Sequence, residues 1–450
     1  MGETVMRIVV IGTGHVGLVT CGTLAAIGHS VTGLDSDEEK IATLVAGRLP
    51  FVEPELDELI ARATGEGRLR FDVEAPEAIA EADAVFICVG TPPLPSGEPN
   101  LIAMERAAEI AGRYATDGCV IVEKSTVPAG TAERVRRVIA RVRPVGRGRV
   151  DVASNPEFLR EGHAVRDALE PDRILVGAES EHSRAVLRRV YEPLVARGYS
   201  LIETDINTAE LAKHACNAFL ALKISYANAL AQICERAGAD VTAIAGVMGA
   251  DSRISRSFLD AGLGFGGSCF PKDLQAFERL SARLGYEFRL LREVMLINED
   301  AISAVVSKIQ DELWNLDGKK IALFGLAFKP GTDDVREAPA LALARRLMAA
   351  GARVTAHDPE AMRNAKQEVP QLEVAPGALD AAAGAHCVVV CTEWPVYRTL
   401  DLEALEAVMA YPFVVDARNI YDGKVMREHG FVYRPTGRPN VDAFRANVSP

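Results

Sequence analysis

The stretch from Arg7 to Asp35 constrains the fold more than any other part of this chain. It begins with the β-branched run RIVVI, which is typical of a buried parallel strand. The segment GTGHVG follows, then a helical stretch that stops at Gly28, and then a second strand that ends in Asp35. This order of strand, glycine-rich turn, helix and strand predicts a doubly wound α/β domain that binds a dinucleotide.

The spacing within this unit indicates which dinucleotide is bound. In the G-x-G-x-x-G pattern one glycine makes a tight turn, one lets the backbone approach a pyrophosphate, and one packs the helix on the strand. The acid at the end of the second strand can accept hydrogen bonds from both ribose hydroxyls and repel a 2′-phosphate, which favours NAD over NADP. The expected cofactor contacts are Gly12, Gly14, His15, Val16, Gly17, Asp35 and Lys40. For Lys40, a position in solvent is a nearly equal alternative.

Polar residues follow the later strands of the same domain. The runs AVFICVG, VIVEKST and Val150–Ser154 read as further buried strands. The carboxyl ends of the strands line the ligand crevice in a doubly wound sheet. A single Thr or Glu there is usually a cap or turn residue, but four at successive strand ends favour a cofactor site. The residues expected to converge on the cofactor are Thr91, Thr126, Glu157 and Glu161.

A long helix is predicted from Thr208 to Arg236, where a run rich in alanine and leucine contains no Gly or Pro. Its length suits a spine between two domains and a face for a dimer. Lys213 and Asn217 are four residues apart, so they share one face of this helix. Lys213 lies either at the rim, where its ammonium group reaches solvent, or in a site.

The segment GLGFGGSCFPKD, from Gly262 to Asp273, places a cysteine where a glycine-rich loop meets a helix. Pro271 suits the first turn of that helix. The backbone N–H groups and the dipole of a helix start favour an anion, so Cys269 tends toward the thiolate there. Asp273 lies one turn further on. The alternative is an inert, buried cysteine beside an ordinary loop.

A second α/β unit begins after Trp314. Its first strand lies in KKIALFG, a helix covers Ala340–Ala350, and RVTAHDPE, VVVCTEW and FVVDARN read as further strands. The glycine triplet is missing after Gly325, so this unit is expected to bind a nucleotide by other means. The cations at its strand ends are Lys329, Arg336 and Arg418, whereas Asp358, which mirrors Asp35, is interpreted as structural.

The composition narrows the partners and the compartment. The chain has 450 residues and a net charge of -12, which disfavours nucleic acid and anionic membranes as partners. The eight cysteines form no CxxC pair and no metal-like spacing with histidine, so neither a metal site nor disulfides are expected. Because nothing suggests disulfides, a reducing cytoplasm is expected. The sequence shows neither a basic and apolar leader nor a run of membrane-spanning length. The tail after Pro439 is expected to be partly disordered.

The motifs together resemble the nucleotide-sugar 6-dehydrogenase family, over nearly the whole chain. The resemblance rests on GTGHVG, CVGTPP, EKSTVPAGT, NPEFLREG, AELAKHACNAFLALKIS, GFGGSCFPKD and GLAFKPGTDDVREAP. It implies two Rossmann-like doubly wound parallel-sheet domains joined by a long central helix. The expected division is an NAD-binding domain over 1–200, a central helical and dimerisation domain over 201–305, and a UDP-sugar-binding domain over 306–450.

The resemblance also implies residue roles. Cys269 corresponds to the nucleophile and Asp273 to its partner, and Lys213 and Asn217 correspond to the pair that contacts the reacting sugar. Thr126 and Glu157 correspond to residues that handle the bound water and proton transfer, Glu161 lies near the nicotinamide, and Arg336 contacts the cofactor. Arg253 corresponds to an arginine that reaches the substrate of a neighbouring subunit. The implied substrate contacts are Glu157, Phe158, Leu159, Lys213, Asn217, Arg253, Phe265, Gly266, Phe328, Lys329 and Arg418.

The implied reaction is the four-electron oxidation of UDP-glucose to UDP-glucuronate by NAD. Three alternatives remain open at the level of sequence. The same chemistry could act on GDP-mannose or UDP-N-acetylmannosamine; a one-step hydroxyacid dehydrogenase would use the central lysine but needs no thiol; and a non-catalytic NAD sensor would need only the GTGHVG unit.

Overall fold

The computed structural model describes residues 5–442, which form alternating strands and helices. The strands are β1 Arg7–Ile11, β2 Ser30–Leu34, β3 Leu69–Asp72, β4 Ala84–Ile87, β5 Val120–Glu123, β6 Asp151–Ser154, β7 Ile174–Gly177, β8 Leu201–Thr204, β9 Lys320–Phe324, β10 Arg353–His357, β11 Glu373–Val374, β12 Cys387–Val390, β13 Phe413–Asp416 and β14 Val432–Pro435. The helices are α1 His15–Ala26, α2 Glu38–Val45, α3 Leu56–Gly65, α4 Pro76–Ala80, α5 Ile102–Tyr114, α6 Thr131–Val142, α7 Ala164–Leu169, α8 Glu181–Val195, α9 Ile206–Ala237, α10 Val241–Ala250, α11 Phe270–Arg283, α12 Arg289–Leu313, α13 Pro339–Ala349, α14 Met362–Glu368, α15 Ala378–Ala382, α16 Pro395–Arg398, α17 Leu402–Val408 and α18 Gly423–Glu428.

The described chain folds into two compact units. The first comprises the residues up to Cys216 together with Gln275–Tyr286, and the second comprises Asn217–Leu274 and the chain from Glu287 onward. Helix α9 therefore starts in the first unit and ends in the second. It confirms the predicted long helix, with two more residues at its start and one at its end.

The first unit is built on an eight-stranded sheet with the order β3-β2-β1-β4-β5-β6-β7-β8. Its first six strands are parallel and follow the strand order of a doubly wound dinucleotide-binding fold. Strand β7 runs antiparallel to β6, and β8 runs parallel to β7. The fold prediction is confirmed, but the last two strands reverse direction, which short apolar runs alone do not reveal.

Both faces of this sheet are buried. On β1, Ile8 and Val10 pack into one apolar cluster, and Val9 and Ile11 pack into a second one on the opposite face. Successive side chains of a strand point to opposite faces, so a strand with helices on both sides has to be apolar throughout. This requirement explains the continuous run RIVVI.

The second unit repeats the same topology with six parallel strands in the order β11-β10-β9-β12-β13-β14. Helix α12, which precedes its first strand, has 25 residues and was not predicted from the sequence. Most of the tail after Pro439 lies outside the described residues. None of the helices within residues 5–442 has the length and apolar character needed to cross a membrane.

Candidate active site

The turn between β1 and α1 has the geometry of a pyrophosphate-binding loop. A Cβ atom on Gly17 would lie 1.8 Å from the carbonyl oxygen of Gly12, so helix and turn approach each other only because Gly17 is glycine. A Cβ atom on Gly14 would meet no atom within 4 Å, so the space beside this residue is open to a ligand. Helix α1 begins at His15 and offers its N–H groups to an anion there. These residues fit the pyrophosphate of NAD.

Asp35 follows β2 and faces the same loop. Its Oδ2 atom accepts hydrogen bonds at 2.9 Å from the N–H and the hydroxyl of Thr13 and from Nζ of Lys40. Burial raises the pKa of Asp35. The hydrogen bonds from Lys40 and from the N–H groups of Thr13 and Asp37 lower it by more, so the pKa of Asp35 lies below its usual value. The carboxylate is therefore ionised, and Lys40 is paired with it rather than free in solvent.

The loops after β4 and β5 are joined by the two predicted threonines. The hydroxyl of Thr91 donates a hydrogen bond to the carbonyl oxygen of Thr126 at 2.9 Å. Ser125 supports the same junction by donating to the carbonyl oxygen of Val89 at 2.7 Å. The structure therefore brings Thr91 and Thr126 together at the carboxyl edge of the first sheet, where the topology predicts a ligand crevice.

Glu157 and Lys213 form a buried ion pair within the first unit. The Oε1 atom of Glu157 lies 3.0 Å from Nζ of Lys213, and the side chains are only 5% and 4% exposed. The Oε2 atom of Glu157 accepts the N–H of Leu159 at 2.6 Å. Buried charges require such partners. Lys213 therefore does not lie at the rim with its ammonium group in solvent, which was the alternative interpretation.

The ring of Phe158 lies close to two cations. The guanidinium carbon of Arg173 is 3.7 Å from the centroid of its ring, and Nζ of Lys213 is 5.4 Å from the same centroid. Such contacts between a cation and an aromatic ring are attractive and help to hold the ring in place. Glu161, the fourth predicted strand-end residue, is half-buried in the segment that leads to α7.

A buried acid that the sequence did not single out holds the start of α6. The carboxylate of Glu210, on α9, accepts the N–H groups of Gly130 at 2.6 Å and Ala132 at 2.9 Å. These are orphan donors at the N-terminus of α6, whose own N-cap residue offers no side-chain bond. Burial first, and then the charge of Glu210, raise the pKa of Glu123, which lies at the end of β5.

In the second unit the glycines of the segment Gly262–Gly267 permit close approaches. A Cβ atom on Gly266 would lie 2.2 Å from the carbonyl oxygen of Glu337, and one on Gly267 would lie 2.8 Å from the ring of Phe328. The N–H of Gly267 also donates to the carbonyl oxygen of Arg336 at 3.0 Å. Substitution of either glycine would move this loop away from those residues.

Cys269 directly precedes the first residue of α11. It is half-buried, so it is not an enclosed structural cysteine. Its Sγ atom lies 3.5 Å from the hydroxyl of Ser268, and its carbonyl oxygen accepts the N–H of Asp273 at 2.9 Å in the first helical turn. A thiol at a helix N-terminus is in the environment that stabilises a thiolate.

Asp273 and Asn217 are brought together in the second unit. The Nδ2 atom of Asn217 donates to Oδ2 of Asp273 at 2.6 Å, and Nζ of Lys272 lies 2.8 Å from the other carboxylate oxygen. The Asp273 side chain is buried. The pair fixes the amide of Asn217 one turn beyond Lys213 on α9.

The other predicted residues of the second unit fall into two groups. Phe328, Arg336 and Arg418 border the glycine loop, since a Cβ atom on Gly262 would lie 3.2 Å from a guanidinium nitrogen of Arg418. Nζ of Lys329 lies 5.3 Å from the ring centroid of Phe328. Arg253 lies apart: its side chain is 87% exposed and pairs with Asp251.

Two asparagines hold the glycine loop, and the sequence analysis missed both. Asn298, on α12, accepts the N–H of Phe265 at 2.7 Å and donates to the carbonyl oxygen of the same residue at 3.0 Å. Asn228, on α9, accepts the N–H of Gly262 at 2.7 Å. The only local signal for Asn298 and Asn228 is a polar residue within an otherwise apolar helical run.

The strand order of the first unit, its glycine loop and its ionised acid define a protein that binds a dinucleotide, and Cys269 and Lys213 are the residue types that enzymes use on carbonyl groups. The comparisons agree with this class. Three family descriptions match successive parts of the chain: the NAD binding domain of the UDP-glucose/GDP-mannose dehydrogenase family over residues 6–195, its central domain over 207–300 and its UDP binding domain over 322–423. The chain belongs to this family, which confirms the predicted resemblance, and it is an NAD-dependent oxidoreductase.

Individual relatives extend over nearly the whole chain. The UDP-glucose 6-dehydrogenase of Rhizobium meliloti (strain 1021) is 42% identical over 439 residues, which cover 97% of this chain and 100% of the relative. The solved structure of a UDP-glucose dehydrogenase from Pyrobaculum islandicum is 38% identical, covers 97% of this chain and 99% of its own, and has a TM-score of 0.90. A UDP-D-ManNAc dehydrogenase structure from Pyrococcus horikoshii is 26% identical, covers 96% and 99% of the two chains, and has a TM-score of 0.84.

Proposed function

We propose that this chain oxidises UDP-glucose to UDP-glucuronate in two successive steps on one primary alcohol. The observation that carries the proposal is the half-buried Cys269 at the start of α11, followed one turn later by the Asp273–Asn217 pair. Relatives at about 40% identity that are UDP-glucose 6-dehydrogenases support the substrate. A one-step hydroxyacid dehydrogenase or a non-catalytic NAD sensor would have no use for such a thiol.

The first oxidation removes a hydride and the hydroxyl proton from the 6-hydroxymethyl group and leaves an aldehyde. The Cys269 thiolate adds to the aldehyde carbon, and the oxygen takes a proton, which gives a thiohemiacetal. The second oxidation removes the hydride from that carbon and the proton from its hydroxyl group, and it leaves a thioester. Water then adds to the thioester, the acid departs, and the thiol is restored. NAD, when bound, accepts the hydride of each oxidation.

The remaining residues stabilise charge and move protons. The ammonium group of Lys213 and the amide of Asn217 stabilise the oxyanion at each tetrahedral stage. The carboxylate of Glu157 takes the proton of the attacking water, assisted by Thr126 and by Asp273. The cofactor is held by the glycine loop, Asp35, Thr91, Glu161 and Arg336, and the sugar nucleotide by Phe158, Leu159, Phe265, Gly266, Phe328, Lys329 and Arg418.

The stoichiometry of NADH tests this reaction. The protein is incubated with NAD and, separately, UDP-glucose, UDP-N-acetylmannosamine, GDP-mannose and a simple hydroxyacid, and the NADH formed per substrate consumed is counted. We expect two NADH per UDP-glucose and the highest kcat/KM for that sugar. One NADH per substrate would contradict the thioester route, whereas two NADH with a different preferred sugar would keep the chemistry and replace the substrate. The similarity to the Pyrococcus horikoshii structure makes UDP-N-acetylmannosamine the most informative competitor.

The proposal includes a cytoplasmic homodimer with three domains, divided at 1–200, 201–305 and 306–450. Helix α9 supports the dimer because Phe219, Tyr226 and Ile233 are 61%, 50% and 60% exposed and recur every seven residues along it. An exposed apolar stripe of this kind marks an interaction surface. The exposed side chain of Arg253 then reaches the substrate of the partner subunit.

A further inference from the structure

Glu53 is a buried carboxylate that none of the predicted roles includes. It lies in the segment between α2 and α3, and its side chain is fully buried. Its Oε2 atom accepts a hydrogen bond from Nε2 of His15 at 2.7 Å and another from the N–H of Gly162, also at 2.7 Å. Its Oε1 atom accepts the N–H of Ala164 at 2.8 Å. One carboxylate therefore connects its own segment to two other parts of the first unit.

One of these parts is the cofactor loop. His15 opens α1 directly after Gly14, and its ring also packs on Phe51, with the ring centroids 4.9 Å apart. Because a carboxylate can only accept, Nε2 of His15 carries the proton in this contact. The ring is therefore held in one orientation at the position where α1 offers its N–H groups to the pyrophosphate.

The second part is the segment that carries Glu157 and Glu161. Gly162 follows Glu161 directly, and Ala164 is the first residue of α7. The N-cap residue of α7, His163, makes no capping bond with its own side chain, so Glu53 satisfies a donor that the helix start would otherwise leave open. Breaking any of these hydrogen bonds would leave the buried carboxylate of Glu53 less well compensated, which costs free energy. The junction is therefore rigid.

We propose that Glu53 is a positioning residue that fixes the cofactor loop at His15 and the Glu157–Glu161 segment at Gly162 in one arrangement, so that NAD binding and the placement of Glu161 depend on the same carboxylate. The kinetic consequence rests on the proposed dehydrogenase function, whereas the consequence for NAD binding does not. Glu53 touches neither NAD nor sugar in this scheme and acts through His15 and Gly162.

The test compares Glu53→Gln with the wild type. Glutamine keeps the size and one acceptor oxygen, but its amide nitrogen cannot accept from His15 or Gly162. We expect the Kd for NAD, measured by calorimetry without sugar, to rise roughly tenfold, as for the loss of a hydrogen bond to a charged group. Amide hydrogen exchange at Gly162 should become faster, and the KM for NAD should rise more than the KM for UDP-glucose. Glu58→Gln, an exposed acid on α3, is the matched control and should change none of these quantities.

A second variant separates the bridge from simple capping of α7. His15→Phe removes the cofactor-loop contact and leaves both amide bonds, so it should weaken NAD binding without accelerating exchange at Ala164. The double variant should bind NAD no more weakly than Glu53→Gln alone, because both changes break one connection. NAD affinity within twofold of the wild type in both single variants, or effects that multiply in the double variant, would overturn the proposal. If the wild type did not oxidise UDP-glucose, the proposed function would be refuted, but the effect of the variants on the Kd for NAD would still test the role of Glu53.

Discussion

The cysteine side chains of this chain lie in two kinds of surroundings. Burial raises the pKa of Cys88, Cys119 and Cys391 to about 12, and it raises the pKa of Cys21 and Cys387 as well. These thiols are inert packing residues at neutral pH. Cys269 differs because it is half-buried at a helix start, whereas Cys216, which is also half-buried, lies within α9. Its chemistry can therefore be tested without interference from the enclosed thiols.

Replacement of Cys269 by serine should separate the two half-reactions. Serine can still add to an aldehyde, but the product of the second oxidation is then an ester, which reacts with water far more slowly than a thioester. We expect a burst of NADH, intact protein heavier by one sugar nucleotide in mass spectrometry, and almost no steady-state rate. The steady-state loss should exceed about 1000-fold, the scale seen when a cooperating nucleophile is removed.

Cys269→Ala provides the comparison, because alanine forms no covalent adduct at all. This variant should show the same steady-state loss without the added mass. If Cys269→Ala still converted the alcohol to the acid at a near-normal rate, the covalent mechanism would have to be abandoned.

Several elements of the first unit begin or end against buried carboxylates. Glu210 satisfies the start of α6, and Glu53 satisfies the start of α7. Glu123, the last residue of β5, is fully buried, and Glu210 and Arg136 are the charged groups whose fields act on it. The strand end, α6 and α9 are therefore coupled through ionisable groups, which makes their stability depend on pH.

Glu123→Gln should remove part of this pH dependence. The pKa of Glu123 is raised well above 4.5, first by burial and then by Glu210, so the folded chain holds a proton that the unfolded chain releases above about pH 4.5. As pH rises from about 4.5 toward the pKa of Glu123 in the folded chain, the free energy of unfolding of the wild type therefore falls. The contribution of Glu123 to this fall is at most about 1.4 kcal/mol per pH unit. Glutamine has no proton to lose, so the free energy of unfolding of the variant should increase relative to that of the wild type as pH rises.

Urea unfolding between pH 5 and pH 8 measures the difference between the two proteins. Glu133→Gln, an exposed acid on α6, is the control and should keep the wild-type pH dependence. Parallel curves for Glu123→Gln and the wild type would show that Glu123 is ionised in the folded chain, contrary to this account.

For the whole molecule, the strands predicted from sequence are those in the middle of the sheets. Strand β4 is apolar throughout, β1 is apolar after Arg7, and β5 is apolar up to its last residue, Glu123, because helices cover both sheet faces. The edge strand β3 reads LRFD and was missed, since an edge strand carries polar residues that give no strand pattern. Helix α12 was missed because no motif lies on it.

Site residues that belong to a local sequence motif could be predicted. Site residues that act through partners far away in the sequence could not. Cys269, Lys213 and Asp35 stand in recognisable segments. Asn298 lies 33 residues from Phe265, and Glu53 lies 109 residues from Gly162. Such pairings depend on how the chain folds back on itself, so neither residue has a signature of its own in the sequence.

The proposed dimer is a property of the whole molecule and can be tested on α9. Tyr226→Asp, at the centre of the exposed stripe, should convert a dimer into a monomer in light scattering at micromolar concentration, because a charge would be buried in an apolar interface. Val145→Asp changes a fully exposed apolar residue outside α9 and should leave the dimer intact. A monomeric wild type, or a dimeric Tyr226→Asp variant, would contradict the proposed interface.

The role of Arg253 across the dimer can be tested by complementation. If Arg253 serves the partner's substrate, coexpressed Cys269→Ala and Arg253→Ala chains form mixed dimers with one complete site. Random pairing then restores about a quarter of the wild-type activity. If Arg253 served its own subunit, the mixed dimers would remain as inactive as either variant.

The buried acid of the second sheet, Asp358, limits where a dinucleotide can bind. Asp358 is fully buried and accepts bonds from the N–H groups of Leu326, Ala327, Glu360 and Ala361 and from the indole of Trp394. It has no capacity left for a ribose, so within the described chain only the first sheet is equipped for a dinucleotide. In the proposed reaction, both hydrides would therefore be accepted at this one dinucleotide site, and NADH would have to be exchanged for NAD while the partly oxidised sugar is held by Cys269. The rate of the proposed reaction would then depend on the ratio of NAD to NADH at two steps for every molecule of product.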